Sequence, residues 1–274
     1  MRNARRLLVA VLSLAVPLIV SSSAWAACPS GTVASGSTCI DRYEASLWRI
    51  TNQNCVDRIK AGFKLPPACL AGAVQLGING VDYTDAQCQF NGGGCKDIYA
   101  LSLPNVTPAH TINYFIAAAA CRNSAKRLPS NAEWQAAALG TPDPWPQDDP
   151  ANQCNLETAS TTLTGARSKC VSDVGAFDMV GNVIEFVADW GPLATTGANW
   201  DVFIPGFGGD VSNMGGSPNG TIYGLPGTTL RGGSFTIAPN SGGTGLRAGV
   251  YAIDQNGAPN SIGDASAAGF RCAK

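Results

Sequence analysis

The chain has 274 residues, of which 14% are charged, and a formal net charge of −1. So sparse and balanced a charge provides no basic field for nucleic acid. A single histidine, His110, excludes a His-rich zinc site and leaves a Ser-His-Asp hydrolase without spare imidazoles.

In chain order, the first 26 residues read as a cleaved targeting segment. Arg2, Arg5 and Arg6 make a positive start, Leu7 to Val20 an apolar core, and Ala24-Trp25-Ala26 a small-x-small cleavage site. That core is too short to span a membrane comfortably, and no later apolar run reaches about 18 residues. The expectation is an exported protein, periplasmic, cell-surface or extracellular, without a transmembrane segment. All ten cysteines fall after the cleavage site, and an even count in an exported chain points to disulfides. No C-x-x-C pair supports a zinc ribbon or a thioredoxin-type motif.

Ile40 to Ile50, "IDRYEASLWRI", alternates well enough for a strand anchored by Tyr43 and Trp48. From about residue 52 to 100 the pattern dissolves into Gly-rich loops bounded by Cys55, Cys69, Cys88 and Cys95, which reads as a stapled insertion. "TPAHTINYFIAAAACRNSA" predicts a helix, because Ile112, Phe115, Ile116, Ala119 and Ala120 recur at i, i+3, i+4 spacing. His110, in the loop-like start of that stretch, reads as a surface residue rather than a base. A second helix follows in "RLPSNAEWQAAALG". Ser130 is its N-cap, Glu133 completes a capping box and Gly140 stops it, so Glu133 reads as a cap and not as a catalytic acid. Thereafter the chain is rich in loops, consistent with 32 glycines and 17 prolines.

Four segments stand in order: "IDRYEAS", "CRNSAKRLPSNAEWQAAALG", "GAFDMVGNVIEFVADW" and "RGGSF" closing with "GFRCA". Together they resemble the sulfatase-modifying-factor family, whose named member is the formylglycine-generating enzyme. That family shares its variant of the C-type lectin fold with non-enzymatic relatives, among them the variable proteins of diversity-generating retroelements. The resemblance implies one α+β domain from 27 to 274, loop-rich and disulfide-stapled, with two main helices on a twisted, mostly antiparallel sheet. It also implies a Cys121–Cys272 bridge. Nearness in sequence suggests Cys28–Cys39, Cys88–Cys95 and Cys154–Cys170, leaving Cys55–Cys69.

In "DMVGNVIE", the family's matching positions hold structural calcium. This carries over to the side chains of Asp178 and Glu185 and the carbonyls of Gly181 and Val183, the hard oxygen donors that calcium takes. The residues by themselves also allow a metal-free reading, with Asp178 capping a turn and Glu185 paired to an arginine. The enzyme's copper needs two soft thiolates shortly after Gly-Gly-Ser. Here Phe235 to Val250 holds no cysteine, and the only one after Cys170 is Cys272, so no copper is expected.

Between the fixed ends, Thr236 to Gly245 and "IDQNGAPNSIGDASA" are small, polar and loop-forming, the style of a recognition surface on a rigid scaffold. Phe235, Thr236, Asn240, Ser241, Thr244, Tyr251, Asp254 and Asn256 are the candidate contacts for a protein or glycan ligand. The leading expectation is an exported, non-catalytic binding protein. A formylglycine-generating-enzyme-like modifier of an exported partner and a structural component of a surface assembly are the alternatives.

Overall fold

The computed structural model describes residues 27–80, 82–83, 87–142, 153–156, 158–194, 211–212, 222–236, 248–257 and 268–274. The targeting segment therefore lies outside the described residues.

The chain opens with a hairpin of β1 (Thr32–Ser35) and β2 (Thr38–Asp41) turned at Gly36, whose φ is +58°. β3 (Ala45–Arg49) follows in a different sheet, paired with β4 (Val74–Leu76) and β5 (Ile98–Ser102). The single strand expected over Ile40 to Ile50 is thus two strands with a break at Arg42 to Glu44. The cause is a long-range demand on β2. Its Cys39 and Asp41 amides bond the carbonyls of Lys274 and Cys272, which ties it to the C-terminal residues rather than to β3.

The stretch expected to be loops carries two helices, α1 (Gln53–Ala61) and α2 (Pro67–Ala71), joined by the Cys55–Cys69 bridge. The Asn52 side chain caps α1 at Cys55 N, Gly62 ends it in the left-handed region, and Pro67 starts α2. Val56 and Ile59 turn inward onto Ile50, Tyr99 and Leu101, a small satellite core beneath the bridge.

α3 (Tyr114–Asn123) starts two residues after Ile112, the first residue of its apolar spacing. Thr111 is held in a bridge to Ala268, and Asn113 takes the cap position, accepting from Ile116 N. α4 (Asn131–Ala138) has the expected capping box of Ser130 and Glu133.

Both helices pack on a five-stranded sheet of order β10 (Ala268–Phe270), β6 (Ile184–Ala194), β8 (Ile222–Gly232), β9 (Gly249–Gly257) and β7 (Val211–Ser212). The central pairings β6–β8 and β8–β9 are antiparallel, and the outer two are parallel. Ile116 and Ala120 of α3 meet Phe186, Leu230 and Phe270 in the larger core. Trp134 and Ala137 of α4 meet Met179, Val187 and Val250 in the second.

All ten cysteines are paired: Cys28–Cys39, Cys55–Cys69, Cys88–Cys95, Cys121–Cys272 and Cys154–Cys170. The Cys121–Cys272 bridge spans 151 residues and fixes β10 and the residues after it to α3.

Candidate functional site

Around "GAFDMVGNVIE" the chain makes a tight bend with Asp178 at φ +57°, Gly181 at +76° and Asn182 at +57°. Gly181 is required there, since a Cβ would stand 2.6 Å from the Asn155 carbonyl oxygen. The bend delivers Asp178, Asn182 and Glu185 to one buried place, where Glu44 and Arg271 join them.

Each group in this cluster has a defined partner, with one exception. Glu44 accepts from the Asn182 amide at 2.5 Å and from Val183 N at 3.0 Å. Asn182 in turn accepts from the Asn155 side chain and from Thr162 N, so one amide stitches three segments together. Arg271 pairs with Glu185 through two bonds, Nε to Oε2 at 2.7 Å and Nη2 to Oε1 at 2.6 Å, and donates to the carbonyls of Asp41 and Phe177. Trp134 Nε1 adds a third donor to Glu185 at 2.7 Å. Asp178 accepts from Gly165 N at 2.7 Å through Oδ2, while its buried Oδ1 has no partner.

Three buried carboxylates thus share one guanidinium. Burial, followed by repulsion from Asp178 and Glu185, holds the Glu44 carboxyl well above the usual carboxylate range. Burial likewise pushes Asp178 up to about 6, against the pull of the Gly165 amide and Arg271.

The donor set expected for calcium is assembled only in part. Arg271 engages both oxygens of Glu185, leaving Asp178 Oδ1 as the unengaged carboxylate oxygen of the pair, where calcium wants about six to eight ligands. Among the described residues, no group of three or more His, Cys, Asp or Glu is arranged to hold a metal. Calcium at Asp178, Gly181, Val183 and Glu185 is therefore a proposal that a titration decides.

"RGGSF" ends β8 in a frame built with equal care. The Arg231 guanidinium lies 4.7 Å from the centre of the Trp134 ring and donates to Gln135 Oε1 and the Val250 carbonyl. Gln135 also donates to Val250 O, locking α4 to β9. Gly232 and Gly233 have φ of +83° and +77°, and a Cβ on Gly233 would stand 2.5 Å from Ala248 Cα. Ser234 is buried, with its hydroxyl 3.0 Å from that of Thr236. Because every cysteine is in a disulfide, no thiolate is available here for a soft metal or as a nucleophile.

The candidate ligand contacts separate into groups. Thr236 and Tyr251 are exposed. Phe235 and Asp254 are buried, a correction to their expected place on the surface. Phe235 is drawn inward because its amide bonds Asn182 O and its carbonyl accepts from Thr158 N. Asp254 sits on β9 opposite Leu230 and beside β7, on an inner strand of the sheet. Asn256 lies on β9, and Asn240, Ser241 and Thr244 lie outside the described residues.

Register adds a constraint that linear sequence hides. Gly249 pairs with Gly232 and Gly257 with Thr228, so the two ends of β9 lie against β8 positions four residues, about 13 Å, apart by strand rise. Ala268 pairs with Ile184, next to Glu185, which pairs with Arg231. Gly257 is therefore level with the middle of β8 while Ala268, across "APNSIGDASA", is level with the start of β6, and Tyr251 lies toward the Gly232 end. Glu44 and Gln135 escaped the sequence reading. Glu44 lies within a recognised motif, but its partners are 138 and 139 residues away.

Fold and buried frame together define a disulfide-stapled α+β domain. The chain belongs to the sulfatase-modifying factor enzyme 1-like domain family, whose model matches residues 34–274. No curated protein matches it by sequence. Among solved structures, the Major Tropism Determinant M1 variant aligns over 90% of this chain and 54% of its own, at 15% identity and a TM-score of 0.48. Treponema denticola variable protein 1 aligns over 54% of this chain and 47% of its own, at 23% identity and a TM-score of 0.34. The chain thus spans about half the length of these two proteins, and likeness at this level does not speak to ligand or activity.

Proposed function

We propose that the chain is an exported, non-catalytic binding protein, holding a protein or carbohydrate ligand with the segments that leave β8 and β9. One observation carries the reading: the family frame around "RGGSF" is intact and buried, while all ten cysteines are committed to disulfides. The frame positions a surface without offering the thiol pair that the copper oxidase chemistry requires. Exposed Tyr251 supplies a ring with a polar tip, the kind of side chain that anchors both sugar and protein surfaces. Export fits five disulfides, and among the described residues no helix is long and apolar enough to cross a membrane.

The test has two arms. Purified protein mixed with copper(I), oxygen and a cysteine-containing sulfatase peptide is expected to give no aldehyde, and turnover would overturn the reading. On a glycan and protein array, binding is expected for wild type and lost in Tyr251→Ala; an array signal indifferent to Tyr251 and Thr236 counts against this surface.

A further inference from the structure

A cavity of about 420 Å³ opens elsewhere on the domain. No residue of "RGGSF" or of β9 lines it. Its walls are the 29–32 segment, the turn after β2, the loop between α1 and α2, the end of β5 and the last residue of the chain. Two disulfides brace those walls, Cys28–Cys39 on one side and Cys55–Cys69 on the other. Ser30 N donates to Gly62 O at 2.9 Å, and Arg58 holds the next loop by donating to Lys64 O at 2.9 Å, so the shape exists before any ligand arrives.

The chemistry of the lining is one-sided. Arg42, Lys64, Lys126 and Lys274 face the cavity, and no Asp or Glu does. Lys126 has a structural use, since it pairs with buried Asp41 at 2.8 Å. Arg42, Lys64 and Lys274 have none: among the described residues their side chains enter no ion pair or hydrogen bond. In a chain of net charge −1, Arg42 and Lys64 on one hollow are a local concentration of positive charge. The polar groups of the floor are already satisfied, because Ser102 accepts from Tyr43 N and donates to Gly31 O. Apolar surface completes the hollow. Tyr43 is stacked on Phe177 and held in place, and Phe63 stands at the lip with 62% of its surface in water.

We propose that this cavity is a second binding site, for a small organic anion bearing a carboxylate on a ring-shaped body. The guanidinium and ammonium groups recognise the carboxylate, and Tyr43, Phe63 and Leu65 cover the ring. The volume falls in the ordinary range for small-molecule sites. Acidic sugars and aromatic acids share this chemistry, and both are used as probes.

Calorimetric titration of the protein, disulfides intact, compares glucuronate with methyl glucoside and benzoate with benzamide. At least one acid is expected to bind about tenfold or more tightly than its uncharged counterpart, and to weaken as salt rises. Whichever acid binds identifies the source class. Arg42→Ala and Lys64→Ala are each expected to weaken it about tenfold, with the far-ultraviolet spectrum and melting temperature kept. Absence of binding at millimolar acid, equal affinity for the neutral analogue, or affinity unchanged in the Arg42→Ala/Lys64→Ala double variant would each overturn the proposal. Tyr251→Ala is expected to leave this binding untouched, so failure here is distinguishable from failure of the loop surface.

Discussion

Arg271 and Glu185 form a two-bond ion pair with both side chains out of water, the guanidinium having no measurable exposure and the carboxylate 1%. The pair joins the residues after β10 to the start of β6, and Trp134 brings α4 to the same carboxylate. A buried pair of this kind is costly to break from one side, because the surviving charge stays in the low-dielectric interior. Arg271→Ala is therefore expected to lose about 3–5 kcal/mol in urea unfolding. Arg271→Met combined with Glu185→Leu is expected to regain at least half of that loss. Equal losses in the single and double variants would show that the two charges are not coupled.

Asp178 offers the clearest test of calcium. If the ion joins Asp178 and Glu185, the melting temperature must rise with calcium and fall with chelator, by the equivalent of about 2.7 kcal/mol at a hundredfold excess over Kd. Asp178→Asn should abolish that response while keeping the turn, because asparagine tolerates the left-handed backbone at this position. A melting temperature indifferent to both calcium and chelator removes the metal and leaves the arginine pairing as the whole account of the cluster.

Glu133 gives a pH dependence with a defined sign. Its hydrogen bonds from Arg127, helped by Ser130 and Thr38, lower its carboxyl from 4.5 to about 2. The folded value lies below the unfolded one, so the stabilisation is full above about pH 4.5 and is lost as pH falls toward 2. Arg127 is half exposed, so solvent screening limits the gain to about 1 kcal/mol or less. Glu133→Gln is expected to be less stable than wild type by that amount at pH 7. The gap should close as pH falls through the 4.5-to-2 window; a gap that persists at pH 2 would place the effect in packing rather than charge.

Short-range chemistry made α3 and α4 legible, since apolar spacing and the Ser130/Glu133 cap lie within a few residues of one another. "DMVGNVIE" and "RGGSF" were legible only as motifs shared with the family. The helix α1 was hidden because it is short, mostly polar and surrounded by glycine and cysteine, with only Cys55, Val56 and Ile59 facing inward. Glu44 was hidden for a different reason. Nothing local distinguishes a glutamate that will bond an asparagine 138 residues away from one left in solvent. The inward turn of Phe235 likewise depends on Asn182 and Thr158, which only the folded sheet brings near.

Frame and surface separate cleanly at the Gly232 end of the sheet. Gly233 adopts φ +77° against Ala248, where a Cβ would meet backbone at 2.5 Å, whereas Tyr251 is 46% exposed. Gly233→Ala is expected to cost about 2–4 kcal/mol, combining left-handed strain with displacement of β9. Tyr251→Ala is expected to change stability by less than about 0.5 kcal/mol. Array binding should respond in the opposite sense, since Tyr251→Ala removes a contact from a folded protein. Chemical denaturation of both variants beside the array separates the two effects. A Tyr251→Ala protein that keeps full binding, or a Gly233→Ala protein as stable as wild type, would break this division between a rigid frame and the surface it presents.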